Sequence, residues 1–281
     1  MKRFVVRLLA VFMFAVLSAQ AANAEEALEI AIWPYMSTRA LLETYQPMQV
    51  YLEQRLHRPV LFVTAPDQKT FVERTQKGEY RFVVTAAHFA RLAQMDAGYV
   101  PMLRAKRNAS GVFVVDKNST LHRVDELRGK TVTMTDRITL MSMLGLQSLR
   151  DYGLEPGRDV TVHYSLSHNS AVLAVLRGES AAAATSLAIL GQMPNNVKYS
   201  VKVLAITGEV TPAVYLANPQ VPEQEIHDMT QILLDFTGRT PEGMKFISDL
   251  GYQGLIPATD IEMQRIDPYV VELRKLLEAG Q

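Results

Sequence analysis

The 281-residue chain contains no cysteine. That single absence removes disulfides, thiolate nucleophiles and the residue needed for a lipid anchor. Charge of one sign is lacking as well: 29 Lys and Arg face 29 Asp and Glu, with no basic run. Without a positive stripe there is no electrostatic footprint for nucleic acid. No G-x-S-x-G elbow, no P-loop and no H-E-x-x-H helix occurs, and the acidic residues are scattered. Low-complexity stretches and solenoid-length repeats are missing too. With 48% hydrophobic residues, what remains is the composition of an ordinary globular protein. An enzyme is the least supported class, and no cofactor or metal is expected. His163 and His168 stand five apart across a strand-to-helix turn and, with no thiolate to join them, make a poor metal site.

What is there begins at residue 1. Met1-Lys2-Arg3 is a basic start, Leu8 to Leu17 is an unbroken apolar run, and Ala22-Asn23-Ala24 is a small-x-small cleavage site. Together they predict a secretory signal peptide over residues 1–24, cut before Glu25. Ten apolar residues are about half of what a bilayer core requires, so an anchor is the poorer reading. The mature chain of about 257 residues, formal charge −3, is expected as a free monomer in the bacterial periplasm, away from ATP and NAD. That length suffices for one large domain or two modest lobes.

Strand and helix patterns alternate along the chain. Leu28–Trp33, Val60–Thr64 and Phe82–Thr85 read as strands; helices are predicted over Thr44–Leu56, from Asp67 to about Gln76, and over Ala87–Ala97. The pattern then restarts at strand Gly111–Val115, with a short helical turn from Val124 and strand Thr131–Thr135 after it. Helix Thr139–Tyr152, strand Val160–Tyr164, helix His168–Arg177 and strand Ala181–Thr185 continue it. Strands Val203–Thr207 and Ala213–Leu216 are followed by helices near Gln224–Gly238, Gly243–Leu250 and Tyr269–Ala279. Short loops between alternating elements predict an α/β protein: two units in tandem, each a mostly parallel sheet flanked by helices.

Several of these stretches are similar to the phosphate/phosphite/phosphonate branch of periplasmic solute-binding proteins of ABC transporters. They include Tyr45-Gln-Pro-Met-Gln-Val-Tyr-Leu-Glu53, Phe71 to Gly78-Glu-Tyr80, and Asp125-Glu-Leu-Arg-Gly-Lys-Thr-Val132. Leu149 to Asp159, Ser167-His168 with Gly178, Thr240-Pro-Glu-Gly243 and Leu250 to Pro257 follow in the family's order. The resemblance implies a two-lobed, type II periplasmic-binding-protein clamshell. Residues 25–108 plus 213–281 would form lobe 1 and residues 109–212 lobe 2. Hinge strands would cross near Met102–Ser110 and Leu204–Val214. Open α/β sheets bind ligands at the C-terminal ends of their strands, which puts a ligand in the same cleft.

The family holds an oxyanion at helix N-termini with backbone N–H groups and short hydroxyls, since those N–H groups lack intrahelical partners and carry the dipole's positive end. Carried onto this chain, the candidate ligand-binding residues are Tyr35, Ser37 and Thr38, then Thr85 and His88, then Arg137, Thr139 and Ser142, and finally His168. Each has a plainer role open to it: Thr139 as a helix cap, His168 as the cap of the next helix, Arg137 as an exposed turn residue. The family's run of small hydroxyls reads Asp136-Arg-Ile-Thr-Leu-Met-Ser142 here, so Ile138, Leu140 and Met141 intrude. Ser180 and Arg81 stand where acidic residues are usual. These departures weaken the match to an aminophosphonate.

The expected function is capture of a small ligand, a phosphonate- or phosphate-like oxyanion, and its delivery to an ABC permease. The alternative is a sensory protein of the same fold that docks on a membrane histidine kinase. The lack of thiolates, which a soft metalloid prefers, argues against an arsenite sensor.

Overall fold

The computed structural model describes residues 27–279; the predicted signal peptide lies outside them. Among the described residues no helix is long and apolar enough to cross a membrane.

The first unit alternates β1 (Leu28–Ile32), α1 (Thr38–Leu56), β2 (Val60–Val63), α2 (Gln68–Gln76), β3 (Phe82–Thr85), α3 (Ala87–Ala97) and β4 (Val100–Ala105). The chain then builds a second sheet from β5 (Ala109–Asp116), β6 (Thr131–Met134), β7 (Thr161–Tyr164), β8 (Ala182–Ser186) and β9 (Val201–Val210). Helices α4 (Leu140–Asp151) and α5 (His168–Leu176) connect its strands, with α6 (Leu187–Gln192) and α7 (Asn195–Lys198) before β9. β10 (Val214–Ala217) returns to the first sheet, followed by α8 (Glu223–Arg239), α9 (Pro241–Leu250), β11 (Leu255–Pro257), α10 (Asp260–Gln264) and α11 (Asp267–Ala279).

The first sheet runs β11-β4-β10-β3-β1-β2 and the second β7-β6-β8-β5-β9. The α/β class holds, but the sheets are mixed rather than mostly parallel. β1 pairs in parallel with β2 and β3, and β6 with β7 and β8, because helices carry the chain back between them. β10 enters between β3 and β4 and runs against both, while β5 runs against β8 and β9. These antiparallel neighbours are the strands that take the chain between the sheets.

Helix α1 starts at Thr38, six residues before the predicted Thr44, with the Ser37 side chain accepting from the Ala40 N–H. Pro47 lies inside it. A proline is at ease in a first turn and costly deeper in, so the sequence favours the later start. Tertiary packing overrides it, since Leu41, Tyr45, Met48 and Leu52 form one fully buried face. Tyr45 meets Phe62 and Phe246 at 5.3 and 5.2 Å, which ties α1 to β2 and α9.

The Thr240-Pro-Glu-Gly243 segment has a packing reason. Thr240 Oγ1 donates to the Phe236 carbonyl at 2.8 Å and accepts from the Gly243 N–H at 2.9 Å, so α8 turns directly into α9. A Cβ on Gly243 would lie 1.8 Å from the Phe236 carbonyl oxygen. Gly243→Ala is therefore expected to destabilise the fold by about 3 kcal/mol, the upper end of overpacking costs. Urea unfolding measures it, and a change below about 0.5 kcal/mol would contradict this packing.

Candidate functional site

Each parallel strand ends in a loop that leads into a helix, and these loops meet. Behind β1 come Trp33 and Tyr35, stacked with ring centroids 4.4 Å apart. Behind β2 comes Gln68, and behind β3 Ala86 and His88. From the second sheet come Thr139, Leu140 and Met141 behind β6, His168 behind β7, and Ala188 and Ile189 behind β8. All of them line one cavity of about 80 Å³, closed on a further side by Thr211, Pro212 and Tyr252. A single water needs about 10–15 Å³, so the space holds a ligand of several heavy atoms.

The two sets of loops touch each other over the cavity. His88 Nε2 lies 2.7 Å from the Ile138 carbonyl. Ile138, Leu140, Met143 and Leu144 belong to the same buried apolar cluster as the first sheet's core. A carbonyl only accepts, so Nε2 carries the proton and Nδ1 of the neutral ring is an acceptor. That Nδ1 is buried and has no partner. Burial drives the His88 pKa down to about 4, with the bond to Ile138 acting the other way. Burial alone lowers His168 to about 4; its Nδ1 sits 3.0 Å from Thr185 Oγ1. Both imidazoles are thus neutral at pH 7.

The Tyr215 hydroxyl and Thr85 Oγ1 are likewise buried without partners, while the buried Tyr35 and Tyr45 hydroxyls face each other. Burial holds these phenols, with Tyr252, well above the usual phenol range. Tyr35 and Tyr252 reach the cavity wall; Tyr45 and Tyr215 sit in the core beneath.

Of the residues predicted from sequence, the cavity brings together Tyr35, His88, Thr139 and His168. Thr85 is buried at the end of β3 and does not line it. Ser37 and Thr38 are exposed at the start of α1, where Ser37 is its cap. Arg137 is exposed and lies over the Tyr164 ring at 5.2 Å, away from the lining. Ser142 is fully buried in a closed hydroxyl cluster: its Oγ donates to the Thr135 carbonyl at 3.0 Å, and Thr135 and Thr139 Oγ1 lie 2.6 Å apart. Thr139 also caps α4 by accepting from the Ser142 N–H at 3.2 Å. Ser167, not His168, caps α5. Arg81, at a family departure, pairs with Glu225 on the outside.

Sequence reasoning passed over Gln68, Ser186, Gln192, Thr211 and Tyr252, which also line the cavity. Gln68 follows a cap at a strand's C-terminal end and was open to discovery on that ground; the others needed the sheet order. Among the described residues no Lys, Arg, Asp or Glu lines the cavity.

A model of the family described as ABC transporter, phosphonate, periplasmic substrate-binding protein matches residues 30–263. The fold is similar to PhnD1 from Prochlorococcus marinus, solved in complex with methylphosphonate, with a TM-score of 0.79 and 16% identity over 90% of this chain and 100% of that one. A binding protein component of an ABC phosphonate transporter from Pseudomonas aeruginosa gives 0.74 and 12%, over 91% and 99%. The periplasmic aliphatic sulphonate binding protein SsuA from Escherichia coli gives 0.65 and 17%, over 89% and 87%. At these identities the neighbours speak for the fold alone.

Two predictions follow from the buried groups. A neutral buried histidine stabilises the fold only while the unfolded ring is also neutral. That contribution is complete above pH of about 6.5 and is lost as the pH falls towards about 4, at up to about 1.4 kcal/mol per pH unit and histidine. Urea unfolding at pH 7.0 and 5.0 should show this loss, and His168→Gln should shrink it by one proton's worth; an unchanged slope would mean that His168 titrates normally. Separately, Tyr215→Phe removes an orphan hydroxyl, so the empty protein should gain about 1 kcal/mol. A loss of stability would reveal a partner already present in the empty fold.

Proposed function

Because the chain belongs to the phosphonate-type family of periplasmic substrate-binding proteins of ABC transporters, we propose that it captures a small solute in the cavity between its sheets and hands it to an ABC permease. The observation that carries this reading is the cavity itself, lined from both sheets at once and crossed by His88–Ile138. Such a site binds fully only when two halves approach, so occupancy and closure are one event, and the ligand shifts the population towards the closed form.

In this reading residues 25–108 plus 213–281 form one lobe and residues 109–212 the other. The hinge consists of the passages at 106–108 and 211–213, which run side by side: the Ala105 N–H bonds the Ala213 carbonyl at 3.0 Å and Ala109 pairs with Val210. Residues 1–24 serve as the cleaved export signal. The protein works as a monomer and does no chemistry on its ligand.

The experiment uses mature protein, residues 25–281, purified from periplasmic extract. Native mass spectrometry should detect a small molecule released on denaturation, and small-angle scattering should show a larger radius of gyration once that molecule is removed. A permease encoded nearby, reconstituted in vesicles, should hydrolyse ATP faster with the loaded protein. Absence of any bound or bindable small molecule, with an unchanged radius, would sink the reading. Closure that stimulates a membrane histidine kinase and not a permease would replace delivery by sensing.

A further inference from the structure

Gln68, His168 and Ser186 line the cavity, and all are more than nine-tenths buried, at 8%, 7% and 4% exposure. Among the described residues no hydrogen bond reaches the Gln68 amide, the Ser186 hydroxyl or His168 Nε2. None of these groups is sealed into the core as His88 Nδ1 is; each keeps contact with the space that its residue borders. Gln68 and His168 open α2 and α5, and Ser186 ends β8, so both sheets contribute. Desolvated polar groups left without a partner in the fold mark a place where the partner comes from outside.

All three can donate. The amide and the hydroxyl do so by nature. His168 Nδ1 lies 3.0 Å from Thr185 Oγ1, whose proton has no other acceptor among the described residues. With that proton turned to Nδ1, the neutral ring carries its own hydrogen on Nε2 and presents it to the cavity. Backbone donors join them at α3, which begins at Ala86 with no side-chain cap, and Ala86 and His88 border the same space. Neutral donors converging from two sheets answer a negative charge.

The wall also limits that charge. It holds no Lys or Arg to share a second one, and each charge taken out of water carries its own cost. The Asp67 carboxylate, which caps α2 beside Gln68 at 2.7 Å from the Thr70 N–H, adds a repulsion that grows with the ligand's charge. Nor does any Asp or Glu stand in the wall to receive an ammonium. What faces the donors is apolar: Trp33, Tyr35, Leu140, Met141, Ile189 and Tyr252.

We infer that the cavity selects a singly charged organic oxyanion with an uncharged, apolar body. The head is held by Gln68, His168, Ser186 and the start of α3, and the body lies on the aromatic and aliphatic wall. This rests on the solute-binding reading and names its ligand class. The number of charges, not the central atom of the head, decides: a sulfonate or a carboxylate qualifies, and a dianionic phosphonate does not.

The test is calorimetry on residues 25–281 with propanesulfonate, butanoate and propylphosphonate, which share one tail. Above the phosphonate's second ionisation, the sulfonate or the carboxylate should bind one to one and at least about tenfold more tightly than the phosphonate. The sulfonate and carboxylate arms show which head is preferred. Lowering the pH until the phosphonate keeps its second proton should restore its affinity, while that of the sulfonate stays level. From methane- to propanesulfonate the affinity should rise about fourfold per methylene. An ammonium at the end of the tail should cost at least about tenfold. Gln68→Met keeps the volume and removes the donor; it should weaken every member by at least about tenfold and leave the gain per methylene unchanged. If that variant fails to fold, the ligand series on the unaltered protein still decides the matter. A phosphonate that binds most tightly when doubly charged would overturn the inference and leave solute capture standing. Affinity indifferent to the tail would overturn it too. Silence from all heads would also overturn it, and the native mass spectrum of the extracted protein would then judge solute capture by itself.

Discussion

The two strands that leave the first sheet and return to it travel as neighbours, and the rest of the molecule is arranged around that paired crossing. β4 and β10 lie side by side in one sheet, β5 and β9 side by side in the other. Between them the chain has only residues 106–108 and 211–213 with which to pass. The outgoing passage is held by its surroundings: the Lys106 N–H bonds the Gly254 carbonyl and the Arg107 N–H bonds the Tyr252 carbonyl at 2.8 Å. The returning passage, through Thr211 and Pro212, forms part of the cavity wall along with Tyr252. Any rotation about the crossing thus reshapes the cavity directly. In the proposed solute-binding reading, binding and motion would share the same few residues, with no relay between distant sites.

That geometry also explains why the antiparallel pairings were invisible in the sequence. Strand Val214–Ala217 reads as one more apolar run, and nothing in its pattern says that it slots between β3 and β4. Parallel neighbours announce themselves through the helix that separates them, as with β1-α1-β2 and β6-α4, whose periodicity and caps were plain. Asp67 marked a helix start correctly because a cap acts within a few residues. Short elements such as β11 and α10 carry too few residues for a period to show. Pro47 misled in the opposite direction, since a local rule about helix starts lost to the burial of Tyr45 and Leu41.

The site was legible to the same depth. Placing candidates behind strand ends found Tyr35, His88, Thr139 and His168, because chain direction fixes which loops face the cleft. It also drew in Arg137, Ser37 and Thr38, whose side chains turn outwards, and loop conformation is what a spacing argument does not hold. Thr139 and Ser142 were expected to offer their hydroxyls to a ligand, yet they spend their hydrogen bonds on each other and on Thr135. The departures from the family pattern proved more informative than the matches. Ile138, Leu140 and Met141, which interrupt the run of hydroxyls, supply the carbonyl that orients His88 and two of the cavity's apolar walls.

One residue among these walls has a further consequence. Trp33 is the chain's one tryptophan; it is buried, stacked on Tyr35 and in the cavity lining. Indole emission responds to the polarity and rigidity of its immediate surroundings, and here those surroundings are whatever fills the cavity. The protein therefore carries a built-in optical reporter in the wall of its candidate site, undiluted by any other indole. Its occupancy can be followed in dilute solution, in real time, with no label attached.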